Sequence, residues 1–334
     1  MRSALIIQTA FIGDAVLATG LLEKMHLAFP EAKLDILVRK GNEGLFRQHP
    51  FLQEVLVWQK QTKKYLHWWK LLRRIRQKKY DLVINVQRFA ATGLLTALSG
   101  AGKTIGFDKN PFSFLFTHII PHRIEPGVHE YIRNHDLIRT ITDDIPAKPR
   151  LYPAPADLAA VETYRQTAYC CMAPASVWFT KQYPAQKWVE LIRALPPAYT
   201  VYLIGAPGDR ALCEEIRLAS GRENLYNLSG KLSFLAAAAL QAGAVMNYVN
   251  DSAPLHFASA VNAPVTAVYC STLPSFGFGP LSDESHIVEL DEILSCRPCG
   301  LHGQRSCPQR HFHCAFHIRV AQLLQVLPVP PAAI

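Results

Sequence analysis

The chain has 334 residues, of which 49% are hydrophobic and 18% charged, and a formal net charge of +9. That length exceeds one ordinary core and suits two domains of roughly 150 residues each, while the apolar share excludes a disordered protein. The positive balance implies an anionic partner, and nucleic acid, a phosphate-rich small molecule and a membrane surface all qualify on charge alone.

In the first half, short β-branched runs at Ala4–Gln8, Lys33–Val38, Glu54–Trp58, Asp81–Asn85 and Lys103–Gly106 read as strands. Helical patterns at Ala15–Phe29, Asn42–Gln48, Thr62–Gln77 and Ala90–Leu98 separate them. Strands alternating with helices predict a parallel sheet covered on both faces. A proline-rich stretch from Ile145 to Pro155 reads as a linker. Beyond it a second alternation begins, with strands at Tyr169–Ala173, Thr200–Ile204, Ala244–Val249 and Val265–Tyr269. Its helices are Trp188–Leu195, Asp209–Leu218, Phe234–Ala242 and Leu255–Val261. The expected class is therefore α/β, two Rossmann-like doubly wound domains over residues 1–155 and 156–334, facing a central cleft at the carboxyl ends of their strands.

The longest apolar stretch, Phe234–Val249, is interrupted by Gln241, Gly243 and Asn247 and falls short of a membrane span. Asp14 breaks any signal-peptide core. A cytoplasmic protein is expected, with its eight cysteines reduced or ligating metal before they pair as disulfides.

The first strand runs into Thr9-Ala10-Phe11-Ile12-Gly13-Asp14. This turn lacks G-x-G-x-x-G, which counts against a dinucleotide-dependent dehydrogenase. Asp14 is either a helix cap or, at the end of the first strand, a carboxylate facing the cleft. In the second half, small and hydroxyl residues from Ala173 to Thr180 precede Lys181, and Ser176 with Lys181 suits a phosphate site. The glycine turn Gly205–Asp209 is a weak signal, because many α/β sheets use such turns for geometry alone. The stretch Asn250-Asp251-Ser252-Ala253-Pro254-Leu255-His256 ends a strand and opens a helix. The amides of Ser252 and Ala253, at the positive end of that helix, can hold a diphosphate. Asp251 would bind a sugar hydroxyl or cap the helix, and His256 is either packed or in contact with ligand.

From Val55 to Tyr80 there is no acidic residue, while Lys60, Lys63, Lys64, Lys70, Arg73, Arg74, Arg76, Lys78 and Lys79 are basic, with Tyr65, Trp68 and Trp69 interleaved. Leu66, Trp69, Leu72 and Ile75 form an apolar stripe expected to pack on the sheet. The basic Lys60–Lys79 segment is either a solvated face or a docking surface for anionic lipid or a phosphorylated lipid acceptor; no nucleic-acid module surrounds it. Near the C-terminus, Cys296-x2-Cys299-x7-Cys307-x6-Cys314 is interleaved with His302, His311 and His313. Four such thiolates suit a structural zinc, with a packed thiol cluster or a disulfide pair as the other readings. Cys170, Cys171, Cys213 and Cys270 read as core residues.

The stretches IGDAVLATGLLEKMHLAFPEAKLDILV, YDLVINVQ, APASVWFTKQYPAQKWVELI and NDSAPLHFASAVNAPV resemble glycosyltransferase family 9, the bacterial lipopolysaccharide heptosyltransferases. The resemblance implies a GT-B fold and an inverting transfer of heptose from an ADP-heptose donor to the lipopolysaccharide inner core, with no metal or other cofactor required. It implies Asp14 as general base, Ser176 and Lys181 on the donor diphosphate, and Asp251 on the donor sugar. It further implies diphosphate contacts from the Ser252 and Ala253 amides, and Leu232 against adenine. A location peripheral to the inner face of the inner membrane follows from such an acceptor. Three other readings stand beside it: a family member using another nucleotide sugar, a sugar-nucleotide epimerase of the same fold, and a non-enzymatic basic protein that binds membrane or nucleic acid.

Overall fold

The computed structural model describes residues 1–61 and 64–327, so Lys63 and the expected helix start at Thr62 lie outside the described residues, as does the end of the second expected domain. The chain forms two compact units, Met1–Tyr152 and a second from Pro153 onward. The first contains β1 (Ser3–Ile7), α1 (Ile12–Leu17), α2 (Thr19–Ala28), β2 (Lys33–Arg39), β3 (Leu52–Trp58) and α3 (Lys64–Lys78). It continues with β4 (Leu82–Asn85), α4 (Ala90–Ala97), β5 (Lys103–Phe107), β6 (His118–Ile120) and α5 (Glu130–Asp136). Its sheet is parallel throughout, in the order β3-β2-β1-β4-β5-β6.

The second unit contains α6 (Pro155–Ala159), β7 (Tyr169–Ala173), α7 (Ala185–Ala194), β8 (Thr200–Leu203), α8 (Arg210–Ser220), β9 (Leu225–Asn227) and α9 (Phe234–Ala242). Then come β10 (Met246–Asn250), α10 (Ala253–Ala260), β11 (Val265–Tyr269), β12 (Ser285–Glu289), α11 (His313–Phe316) and α12 (Val320–Leu324). Its parallel sheet runs β12-β11-β10-β7-β8-β9. Both sheets follow one path: the chain starts centrally, winds to one edge, returns to the centre and winds to the other. The strand order therefore reverses between β1 and β4 and between β7 and β10, the places where loops diverge and leave a crevice at the carboxyl ends.

Period-two packing is visible in β7. Cys170 and Met172 face one core with Trp188, Leu191 and Ile216. Tyr169, Cys171 and Ala173 face the other, with Ala236, Leu240 and Leu255. Cys170, Cys171, Cys213 and Cys270 are all fully buried, and burial pushes the Cys170 and Cys213 thiols up to about 12.

Some expectations are corrected. The stretch Asn42–Gln48 is a single 3₁₀ turn, Glu43–Phe46, with Gln48 at φ 54°. The expected helix Ala15–Phe29 is two helices parted at Ala18, where the Thr19 hydroxyl donates to the Val16 carbonyl at 2.7 Å and competes with the helical ladder. β6, β9 and β12 were not expected; they are short edge strands, each with exposed or half-buried positions. No helix among the described residues is long and apolar enough to cross a membrane.

Candidate functional site

In the second unit β7 and β10 lie side by side in register, Ala173 opposite Val249. The loop after β7 and the short turn after β10 therefore emerge together at the switch point. Asn250, fully buried as the last residue of β10, pins the loop at two places. Its Oδ1 accepts from the Tyr183 amide at 3.0 Å, and its Nδ2 donates to the Pro174 carbonyl at 2.8 Å. Lys181 sits in the loop's 3₁₀ turn, Phe179–Lys181. Its Nζ is 2.6 Å from Asp251 Oδ2, the two side chains being 14% and 7% exposed. The Thr272 hydroxyl donates to the same oxygen at 2.7 Å.

Next to this pair α10 starts at Ala253, behind the extended N-cap Ser252, whose side chain makes no capping bond. The first amides of a helix have no intrahelical acceptors, and the helix dipole makes that end positive. The paired Lys181 ammonium and the start of α10 thus put cationic and amide donors side by side, an arrangement suited to an anion. Ser176 is half-buried in the Lys181 loop, its carbonyl accepting from Gln182 Nε2 at 2.7 Å. Leu232 is half-buried just before α9 and packs against that unit's second core. His256 is buried one turn into α10, edge-on to Phe278 at 6.5 Å. The glycine turn after β8 is internally satisfied, with the Ala206 amide donating to Asp209 Oδ2 at 2.7 Å. A Cβ on Gly205 would meet that same carboxylate oxygen at 2.8 Å, which explains the glycine by geometry.

The corresponding switch point of the first unit holds the turn after β1. Gln87, just beyond β4, donates to Gln8 Oε1. Lys60 Nζ donates to the Thr9 carbonyl at 2.7 Å and to its hydroxyl at 3.0 Å, and Asn42 Nδ2 donates to the Ala10 carbonyl at 3.2 Å. Burial first, then Arg39 and Lys64, push the Lys60 ammonium down to about 8. Asp14 is half-buried and is not the N-cap; Phe11 holds that place, and Asp14 is the third residue of α1. The capping alternative for Asp14 is corrected to a first-turn carboxylate.

Cys296, Cys299, Cys307 and Cys314 line one cavity of about 270 Å³ together with His311 and Thr180. Cys296 Sγ is 3.9 Å from His311 Nε2. Among the described residues no group of three or more His, Cys, Asp or Glu side chains is arranged to hold a metal ion. This loop braces the Lys181 turn: the Gln304 amide donates to Thr180 Oγ1 at 2.7 Å, and the Thr180 amide to the Gln304 carbonyl at 3.1 Å. Thr272 was absent from the sequence reading, and Asn250, Thr180 and Lys60 were named there without the bonds they make here. Asn250 carried a signal, a carboxamide ending a buried strand beside Asp251; the others act across long sequence separations.

The profile of glycosyltransferase family 9 (heptosyltransferase) matches residues 68–307. The lipopolysaccharide heptosyltransferase 1 of Pseudomonas aeruginosa is 25% identical over 316 residues, covering 88% of this chain and 85% of that protein. The solved E. coli ADP-heptose lps heptosyltransferase II superposes with a TM-score of 0.81 at 21% identity, over 98% of this chain and 97% of its own. E. coli heptosyltransferase WaaC with ADP gives 0.72 at 20% identity, over 97% and 98%. The expected GT-B fold is the one shared with these structures.

Proposed function

Because the chain belongs to glycosyltransferase family 9, we propose that it transfers a heptose from ADP-heptose to the growing lipopolysaccharide inner core, with inversion at the anomeric carbon. The observation that carries this reading is the Lys181–Asp251 pair beside the first turn of α10, at the switch point of the second unit. The heptosyltransferases to which the chain is similar supply the donor, ADP being named with one and ADP-heptose with another.

The acceptor hydroxyl gives its proton to Asp14 as its oxygen bonds to the anomeric carbon, and the bond from that carbon to the diphosphate breaks on the opposite face. ADP leaves with one more negative charge. Lys181, the Ser176 hydroxyl and the Ser252 and Ala253 amides meet that charge, a fixed cationic pocket that lowers the barrier without a metal. An ammonium has three donors, so Lys181 can keep Asp251 and still reach a phosphate oxygen. Asp251, with Thr272 orienting it, binds a hydroxyl of the donor sugar. Leu232 lies against the adenine, and His256 supports the first turn of α10. The enzyme works in the cytoplasm at the inner face of the inner membrane.

Asp14→Asn tests the base. The carboxamide has the same shape and cannot take the proton, so transfer is expected to fall by a factor on the order of 10² or more while the unfolding midpoint stays within experimental error. Rate and stability falling in proportion, or a rate left unchanged, would refute the role.

A further inference from the structure

In α3 the stripe Leu66, Trp69, Leu72 and Ile75 does not pack as one face. Leu72 and Ile75 are buried with Leu71, whereas Leu66 is 49% exposed and Trp69 62%. The reason is helix geometry: residues three apart are turned by about −60°, so nine residues separate Leu66 from Ile75 by half a revolution. Leu66 and Trp69 therefore stand on the outer face, flanked by Tyr65, which is 79% exposed. Trp68 turns the other way and donates its Nε1–H to the Ala91 carbonyl at 2.8 Å.

The charges divide along the same line. Arg74 and Lys78, on the edge nearer the sheet, are neutralised by Glu54 and Asp35. Lys64, Lys70, Arg73 and Arg76 are exposed and make no ion pair among the described residues. The outer face thus combines three large apolar side chains with the three uncompensated cations Lys70, Arg73 and Arg76, while Lys64 lies in line with Trp68, Leu71 and Ile75 on the inward side. Exposed tryptophan and tyrosine with basic residues around them match the depth profile of a bilayer interface, where amphipathic rings sit at headgroup level and cations meet lipid phosphates.

We propose that the outer face of α3 docks on an anionic phospholipid bilayer, with Tyr65, Leu66 and Trp69 entering the interface and Lys70, Arg73 and Arg76 meeting the headgroup phosphates. The proposal rests on the membrane location in the proposed function and names the surface that meets the membrane; its test uses neither donor nor acceptor, so loss of docking and loss of transfer are read separately.

The experiment is co-sedimentation of the full chain with vesicles of phosphatidylglycerol and phosphatidylethanolamine, against vesicles of phosphatidylcholine alone. Binding to the anionic vesicles is expected to be at least tenfold tighter, and to weaken at least tenfold between 50 and 500 mM salt. Leu66→Ser with Trp69→Ser, and separately Lys70→Glu with Arg73→Glu, should each lower it at least tenfold. All four positions are exposed, so thermal unfolding should be unchanged. Quenching by lipids brominated near the headgroup should be present in the wild type and reduced in Trp69→Phe. Equal binding to phosphatidylcholine, variants that bind as the wild type does, or duplex DNA or RNA captured through these residues with no vesicle binding would each overturn the proposal.

Discussion

Replacing Lys181 by Met keeps the length of the side chain and removes its charge, and the structure sets the size of the effect. The ammonium and Asp251 are 2.6 Å apart and both nearly buried, so the pair is poorly screened. Breaking a buried pair from one side costs about 3–5 kcal/mol; here Thr272 still donates to Asp251, which places the expected loss near the lower end. Adding Asp251→Asn removes the stranded charge and should restore most of that stability. If Lys181 also binds the donor diphosphate, the restored double variant still lacks a charge-assisted hydrogen bond worth about 1.5–3 kcal/mol, a roughly ten- to hundredfold loss of affinity. Urea unfolding and calorimetric titration with ADP on the wild type, both single variants and the double variant separate the two. ADP affinity recovering in step with stability would show that Lys181 is a structural partner of Asp251 and nothing more.

Asn250→Ala should cost about 2–4 kcal/mol in urea unfolding, since it strands the Tyr183 amide and the Pro174 carbonyl inside the protein, and it should also weaken ADP binding by loosening the Lys181 loop; a loss under 1 kcal/mol would contradict the pinning role. His49 is packed against Phe51 and Tyr152, and neither ring nitrogen has a hydrogen-bond partner among the described residues; burial, with His26 adding to it, pushes its pKa down to about 4. The unfolded chain, titrating near 6.5, then binds the extra proton first, so stability is full above pH 6.5 and falls as the pH drops towards 4, by up to about 3 kcal/mol. His49→Phe should flatten that slope in urea unfolding across the window, and an unchanged slope would refute the assignment.

The central strands were legible because each is a short, largely apolar run buried on both faces, as Leu5–Ile7 and Val265–Tyr269 are. Of the edge strands only β3 was read; β6, β9 and β12 carry fewer buried positions and owe their pairing to the neighbour already in place. At the site, the strand-end positions of Lys181 and Asp251 could be read one at a time, whereas their pairing across 70 residues follows only from β7 lying next to β10. The α3 stripe was misread because spacing by three resembles a face over one turn and drifts off it over three. Of the two readings of Asp14, the cap gave way to a first-turn carboxylate, because Phe11, with no capping side chain, is the N-cap and α1 begins at Ile12.

The most direct test of the account is a donor screen with purified protein and de-acylated inner-core acceptor, run in EDTA and read by product mass. A heptose is expected to be added from ADP-heptose, with donor consumption strictly dependent on acceptor and with no loss of rate in the chelator. Transfer only from a UDP-sugar, donor conversion without acceptor, or activity abolished by EDTA and restored by a metal would contradict it.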